Sequence, residues 1–350
     1  MKRILVALSG GVDSACCAVL MKSKGYDLIG ATMRLHSQNS FCLTDKDIND
    51  ASRLCQSLEI PYHVVDFSSD FDKYVIENFV SSYENGATPN PCIECNFRLK
   101  FDKLFDFTMS QGCDYIATGH YARIEYDEKY ARRVLKKGVN TKKDQSYVLW
   151  RLDRDKLDHT LLPLGAMESK DEVRALLCDV GMNDISSKGD SQDICFVPDG
   201  DYAKFIENYT KKTYPVGNFV DLQGNVLGKH KGIIRYTIGQ RKGLGLALPS
   251  PMYVVKKDLS KNEVVLGYNE DLFSSELYAR EVNLTAIDSI DAPLRVKARV
   301  RYNQEARDAT VTMESGLLHV VFDEPQRAIC SGQSVVLYDE DTVLGGGIIC

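Results

Sequence analysis

The sequence predicts an α/β protein, a doubly wound parallel sheet followed by a small central domain and a C-terminal antiparallel β-barrel. Three observations carry that expectation. Short apolar runs alternate with amphipathic stretches of helical length over residues 1 to about 120. After about Cys195 the texture changes, and Gly, Pro, Lys and β-branched residues dominate. From about Asp271 onward, apolar and polar residues alternate over strand-length segments. Domain limits at 1–196, 197–268 and 269–350 follow.

The elements read in order. Ile4 to Leu8 is a short apolar run of the kind found in buried parallel strands. Glycines permit the turn after it, and Ala15 to Met21 reads as helix. Leu28 to Met33 is the second strand, Asp47 to Leu58 an amphipathic helix, and Tyr62 to Asp66 the third strand. Helices are expected over Phe71 to Tyr83 and Asn96 to Gln111, with a strand at Tyr115 to Gly119. Helical segments resume at Val148 to Leu157 and Lys170 to Val180. The central region carries short strands such as Val264 to Leu266. Strands of the barrel are expected at Leu294 to Tyr302, Ala309 to Met313, Leu317 to Phe322 and Ser334 to Tyr338.

Composition narrows the function. The 350 residues are 44% hydrophobic and 26% charged, a globular balance with room for two or three domains. A net charge of −6 argues against a globally basic nucleic-acid binder and leaves only local patches for RNA. No apolar run reaches membrane-spanning length, and Met1-Lys2-Arg3 leads straight into a strand, so a cytoplasmic protein without a membrane partner is expected. Eleven cysteines in such a chain read as thiols, metal ligands or catalysts rather than a disulfide framework. Cys16, Cys17 and Cys178 fall in helical apolar patterns and read as buried filler.

Ser9-Gly10-Gly11-Val12-Asp13-Ser14 joins the first strand to the first helix. Any strand-turn-helix unit accepts two glycines there. A glycine-rich loop at a helix start also presents unpaired N–H groups and the positive dipole end, which bind anions. Ser9 and Ser14 add hydroxyls, and Asp13 offers a carboxylate to Mg²⁺. The loop lacks the Gly-Lys-Ser/Thr ending of a Walker P-loop. SGGVDS instead resembles the pyrophosphate loop of N-type ATP pyrophosphatases, which adenylate a substrate oxygen and release pyrophosphate.

The second informative stretch is TPNPCIECN, Thr88 to Asn96. A helix is expected to start near Cys95, where the dipole together with Arg98 and Lys100 would lower the thiol pKa. Half of a structural zinc site is the plain alternative, but there is no second Cys-x-x-Cys to complete it. Cys195, in a polar, turn-rich stretch, is expected to be exposed and to act as the partner thiol.

Taken together, SGGVDS, TPNPCIECN, TGHYAR (Thr118 to Arg123), KDQSYVL (Lys143 to Leu149), KGDSQDICF (Lys188 to Phe196), GKHKGIIRYTIGQRKGLG (Gly228 to Gly245), FDEPQRAI (Phe322 to Ile329) and LGGGII (Leu344 to Ile349) resemble the tRNA-specific 2-thiouridylases in content and order. The resemblance runs over essentially the whole chain. It implies an adenine nucleotide alpha hydrolase-like (PP-loop) first domain and an RNA-modifying transferase. ATP would activate the C2 oxygen of the wobble uridine in the tRNA anticodon loop. Sulfur would arrive as a persulfide on Cys195 from a cysteine desulfurase or sulfur-carrier protein. Cys95 would assist its release and end in a disulfide with Cys195.

By the same resemblance, Ala7, Leu8, Ser9, Gly10, Gly11, Val12, Asp13, Ser14, Met33 and Gly119 bind ATP with Mg²⁺. Asn90, Pro91 and Cys92 line the target base, and His120, Lys143, Asp144, Gln145, Arg301, Tyr302 and Gln333 contact tRNA, as does the central domain. One departure stands out. Many members carry Asp after Asn-Pro, proposed to assist acid–base chemistry, where this chain has Cys92. A thiol is a poorer acid–base group near neutral pH. The change also creates a second mechanism to weigh, a [4Fe–4S] cluster held by Cys92, Cys95 and Cys195 with one iron open to sulfide.

RNA binding needs local positive charge. Lys129, Arg132, Arg133, Lys136, Lys137, Lys142 and Lys143 lie in a stretch without acidic residues, and Lys229, Lys231, Arg235, Arg241 and Lys242 form a second cluster around His230 and Tyr236. Each cluster alone reads equally as a solvated charge run, and His120 alone as a satisfied core histidine. Two other classes of function compete. A small-molecule synthetase of the same superfamily would explain SGGVDS but not the cysteine motifs, and would release pyrophosphate without tRNA. A non-catalytic RNA-binding or iron–sulfur module would turn over no ATP.

Overall fold

The computed structural model describes residues 1–35, 44–189 and 194–350. Cys42 and positions 190–193 of the Cys195 segment lie outside them. The first seven strands are β1 (Arg3–Ala7), β2 (Asp27–Arg34), β3 (Tyr62–Asp66), β4 (Tyr115–Ala117), β5 (Ala122–Asp127), β6 (Arg132–Lys137) and β7 (Thr160–Leu161). Five of them form a parallel sheet in the order β3-β2-β1-β4-β7. Leu5, Ile29 and Met33 join the core on one face, and Ile4, Val6, Leu8 and Leu28 join a second core on the other. Burial on both faces is why β1 reads as an uninterrupted apolar run. Helix Val12–Ser23 is buried over most of its surface because it lies between the sheet and helix Lys170–Asp179. The order reverses between β1 and β4, and the carboxyl ends of strands at such a switch point form a crevice for ligands.

The central strands β8 (Gly217–Val220), β9 (Val226–His230), β10 (Tyr253–Asp258) and β11 (Glu263–Gly267) form a small sheet in the order β10-β11-β8-β9. Strands β12 (Phe273–Leu284), β13 (Leu294–Arg299), β14 (Arg307–Glu314), β15 (Leu317–Arg327), β16 (Ser334–Asp339) and β17 (Thr342–Ile349) run β12-β15-β14-β13-β16-β17. Pairing of β12 with β17 closes them into a barrel around Val296, Val311, Val320 and Leu337. The antiparallel barrel is therefore as expected.

Several local expectations are corrected. The hairpin β5–β6 leaves the first domain and adds to the barrel, with Lys136 opposite Thr342. Much of the basic stretch from Lys129 onward lies on this hairpin and is ion-paired. Lys129 meets Asp339 at 2.5 Å, Arg132 meets Asp288 at 3.0 Å, and Lys136 meets Asp127 at 2.8 Å. These ion pairs attach the hairpin to the barrel and to itself. Val148 to Leu157 is not one helix but a 3₁₀ turn, Ser146–Leu149, and a short helix, Arg154–Asp158. Between them Trp150 is drawn into the barrel wall, where its indole donates to Ser334 Oγ at 3.0 Å. The glycine run of LGGGII makes room for it: a Cβ on Gly346 would stand 2.5 Å from the Val335 carbonyl and 3.0 Å from the Trp150 ring. Cys16 and Cys17 are buried as expected, but Cys178 is exposed on the outer side of its helix.

Candidate active site

The crevice is built first by the loop after β1. Gly10 takes φ +70°, and a Cβ there would stand 2.5 Å from the carbonyl oxygen of Asp47. No side chain therefore fits between the loop and the start of helix Asp45–Ser57. Ser14 Oγ donates to the Gly11 carbonyl at 3.0 Å and accepts from the Ser9 amide at 3.1 Å, which fixes the turn. Gly11 caps helix Val12–Ser23 with no side-chain hydrogen bond, so the first-turn amides keep their anion-binding character. Gly119, just past β4, closes the other wall: its Cβ would lie 2.7 Å from the Asp13 carbonyl carbon. Met33 sits at the carboxyl end of β2 beside this loop.

Two lysines that sequence reasoning did not single out face the loop. Lys170 Nζ donates to Asp13 Oδ1 at 2.5 Å, and Tyr121 donates to the same oxygen at 2.7 Å. Lys188 Nζ donates to the Gly10 carbonyl at 2.8 Å and bridges Asp47 at 2.9 Å and Asp50 at 2.6 Å. Lys188 opens the KGDSQDICF motif, so the segment leading to Cys195 is tied to the loop. The motif was legible; the reach of its lysine was not.

The second wall is the cysteine helix. It begins at Pro91, not near Cys95: Asn90 Oδ1 accepts from the Cys92 amide at 3.1 Å and Pro91 occupies the first turn. Asn followed by Pro is the signal that would have found this start. Asn96 donates to the Val148 carbonyl at 3.0 Å and anchors the helix to KDQSYVL. Cys92 is exposed, Cys95 half-buried and Cys195 exposed, the last as expected. The three thiols are within electrostatic reach of one another: negative charge on Cys195 raises both Cys92 and Cys95, and charge on Cys92 raises Cys95. Although Cys92 reaches solvent, surrounding protein crowds its sulfur, and desolvation raises its pKa.

The expected lowering of the Cys95 pKa is overturned. Loss of solvent pushes this thiol up to about 12, and Lys100 only partly opposes that. Cys95 stands a full turn inside the helix, beyond the reach of the N-terminal amides. No disulfide joins Cys95 to Cys195 among the described residues, so the implied end state is not the one seen. The cluster mechanism also fails its geometric test: among the described residues no three Cys, His, Asp or Glu side chains converge to hold a metal ion. Proximity of three thiols is not a ligand set, and no step is routed through iron here.

The barrel supplies the third wall. The Thr88 amide donates to the Ser331 carbonyl at 2.8 Å, and Gln333 Nε2 donates to the Thr88 carbonyl at 2.7 Å. Gln333 thereby holds the TPNPC loop. Desolvation and then the charge on Asp144 raise the Tyr302 hydroxyl pKa, Arg299 opposes them, and Cys92 adds a smaller push upward. Arg301 donates to the Ile238 and Ala328 carbonyls, joining barrel to central domain. Asp144 is buried, accepting from Gly138, Ser146 and Arg299, and Gln145 Oε1 accepts from the Tyr121 amide. Lys143 lies partly exposed next to them. In the central domain, His230 and Tyr236 are buried and Arg235 pairs with Glu207 at 2.7 Å, while Lys231, Arg241 and Lys242 remain exposed.

His120 is buried, with Nδ1 2.7 Å from Thr118 Oγ1. Its placement is that of a satisfied core histidine. Desolvation, with help from the Lys100 charge, holds its pKa well below 6.5, so it is neutral. The unfolded chain takes up this proton as pH falls through 6.5, and the native site refuses it. The stability this group contributes is full above that pH and is lost below it, with a slope of at most about 1.4 kcal/mol per pH unit. The variant His120→Asn is expected to flatten acid destabilisation in urea melts between pH 7.5 and 5.5; parallel curves for the two proteins would contradict this.

A pyrophosphate-type loop at the switch point of a parallel sheet, walled by a thiol-bearing helix, defines a PP-loop ATP pyrophosphatase equipped to handle sulfur. Comparison with known proteins narrows the class. The chain is 48% identical to the tRNA-specific 2-thiouridylase MnmA of Clostridioides difficile (strain 630), over 99% of this chain and 98% of that one. It is 47% identical to the MnmA of Acetivibrio thermocellus, over 99% of each. This chain belongs to the tRNA-specific 2-thiouridylase family. Family models match residues 2–199 (tRNA methyl transferase HUP domain), 203–268 (tRNA methyl transferase PRC-barrel domain) and 274–349 (aminomethyltransferase beta-barrel domain). Among solved structures, a 4-thiouridine synthetase–RNA complex with bound ATP aligns at TM-score 0.37 and 13% identity, over 59% of this chain and 50% of that one.

Proposed function

We propose that this protein makes 2-thiouridine at the wobble position of tRNA, spending ATP to activate C2 and taking sulfur from a persulfide on Cys195. The observation that supports the reading is a pyrophosphate-type loop at the sheet's switch point in the same chain as Cys95 and Cys195, two thiols within electrostatic reach of each other. The loop amides hold the β- and γ-phosphates, leaving the α-phosphorus open to the C2 oxygen. Pyrophosphate departs and an adenylate forms. A carbonyl oxygen is a poor leaving group, and AMP is a good one. Mg²⁺ suits this site through the phosphates, with Asp13 as the nearby carboxylate, and would neutralise the charge that builds on pyrophosphate.

Cys195–S–S⁻ then attacks C2 through its terminal sulfur and AMP leaves. Cys95 as thiolate attacks Cys195 Sγ, forming the Cys95–Cys195 disulfide. The bond between Cys195 Sγ and the transferred sulfur breaks, and its electron pair stays on the sulfur bound to C2. A dithiol reductant must reset the pair. Chemistry at C2 requires the uridine to leave its stack, and Asn90, Pro91 and Cys92 border the recess that would receive it. The exposed Lys231, Arg241 and Lys242 offer the phosphate-binding face. A persulfide-bearing desulfurase or carrier protein would load Cys195, whose exposure allows it, and the setting is the cytoplasm. Among the described residues no helix is long and apolar enough to cross a membrane.

The test supplies anaerobically purified protein with unmodified tRNA, ATP, Mg²⁺ and a persulfide donor, in the absence of iron. Formation of 2-thiouridine with one AMP per sulfur is expected. Pyrophosphate release independent of tRNA would mean a small-molecule synthetase, and no thiolation of any tRNA would end the assignment.

A further inference from the structure

We propose that Lys100 is the cation that holds anionic sulfur at Cys95, placed over that thiol by a π-helical turn; the role in catalysis rests on the thiolation reading above. Helix Pro91–Cys95 runs without a break into a π-helical segment, Asn96–Lys103. In a π-helix the backbone bonds run i→i+5. In an α-helix Leu99 would stand over Cys95. The wide turn brings Lys100 round to the side of Cys95, and its charge acts on that thiol, while Leu99 is in the core, 0% exposed. The amide of Leu104 bonds the Leu99 carbonyl, and Phe101 departs to φ −103°, ψ 16°, as the register returns to α. Such turns are rare and collect at functional sites.

The charges around Lys100 sharpen the point. Its neighbours are compensated: Lys103 pairs with Asp70 at 3.5 Å, and Asp102 is taken by Lys156 at 2.8 Å. Arg98 lies over the Phe97 and Tyr74 rings, 4.5 and 5.8 Å from their centroids. Lys100 is half-buried and makes no ion pair or hydrogen bond among the described residues. The titratable groups that face it are Cys92 and Cys95 on its own helix and His120 beyond β4; Cys195 from its loop and Tyr302 from the barrel adjoin the two thiols. Of the groups on its own helix and beyond β4, the histidine is neutral, and the thiols of Cys92 and Cys95 are held up by desolvation. A half-buried ammonium without a counter-ion is matched to a charge that exists only during reaction. In the transfer step that charge is the Cys95 thiolate, formed by loss of its proton to solvent. Lys100 acts through Cys95 and is a positioning residue.

The test reads the thiol and needs neither ATP nor tRNA. Alkylation of Cys95 by iodoacetamide is followed by mass spectrometry from pH 6.5 to 9.5, with exposed Cys178 as internal reference. Lys100→Met, which keeps the apolar stem, is expected to slow Cys95 at pH 8 by about tenfold and displace its profile upward. Lys100→Arg is expected to stay within about threefold of the native protein. A second measurement requires no variant: anionic iodoacetate should gain on neutral iodoacetamide by about tenfold at Cys95 relative to Cys178. An unshifted Lys100→Met profile, or equal reagent preference at the two cysteines, overturns the assignment. Absence of thiolation with these results intact would instead count against the proposed reaction.

Discussion

Replacing Cys95 with alanine is expected to lower thiolation at least about a thousandfold while leaving tRNA-dependent pyrophosphate release within a few fold of the native rate. A factor of that size corresponds to about 4 kcal/mol in the barrier, ordinary for loss of a covalent participant. The two half-reactions separate because they use different walls of the crevice. In the proposed reaction the loop and Gly119 serve the nucleotide, whereas Cys95, on helix Pro91–Cys95, serves the sulfur. The variant Cys195→Ala should behave in the same way, since the proposed reaction forms its persulfide on Cys195. Cys92→Ala should retain activity within about tenfold, because in the proposed reaction no step passes through its sulfur. Nucleoside chromatography for 2-thiouridine, beside a pyrophosphate assay, distinguishes the cases. A Cys95→Ala enzyme keeping a tenth of native thiolation would remove the disulfide-forming step. A Cys92→Ala enzyme as inactive as Cys95→Ala would give the third thiol a part in the chemistry.

The substitution Gly10→Ala is expected to weaken ATP binding by about ten- to hundredfold and to lower stability. A non-glycine residue held at φ +70° carries strain of about 1–3 kcal/mol. The added Cβ would also stand 2.5 Å from backbone of Asp47, which is not the movable end of a side chain. Either the loop or the start of helix Asp45–Ser57 must shift. Lys188, which bonds Gly10 and both Asp47 and Asp50, would lose its geometry with them. Equilibrium ATP binding and a thermal melt check this, with Cys95 alkylation as a control that should not change. Native ATP affinity in Gly10→Ala would mean that the loop does not hold the phosphates.

Sequence and structure agree most closely where a local pattern has one physical solution. Ile4 to Leu8 is apolar throughout because helices cover both faces of its sheet, and that pattern was readable without coordinates. The alternation from Leu294 to Arg299 likewise left only a two-sided strand. The sequence went astray where distant partners decide. The cations from Lys129 to Lys136 read as a solvated run until Asp339 and Asp288, more than 150 residues away, are seen to meet Lys129 and Arg132. Trp150 breaks an expected helix because the barrel needs its ring.

By itself, therefore, the sequence determined the sheet order's raw material, the pyrophosphate loop, the paired cysteines and the family, since these depend on residue type at short spacing. Only the tertiary structure decided the electrostatics of the site. A helix start and nearby cations predicted an acidic thiol at Cys95; desolvation by the surrounding protein reversed the sign. Tertiary packing also separated Arg98 from Lys100, which are equivalent by composition: Arg98 lies over aromatic rings, whereas the charge of Lys100 acts on the Cys95 thiol. Desolvation and side-chain direction depend on what surrounds a group in space, and no spacing along the chain encodes that.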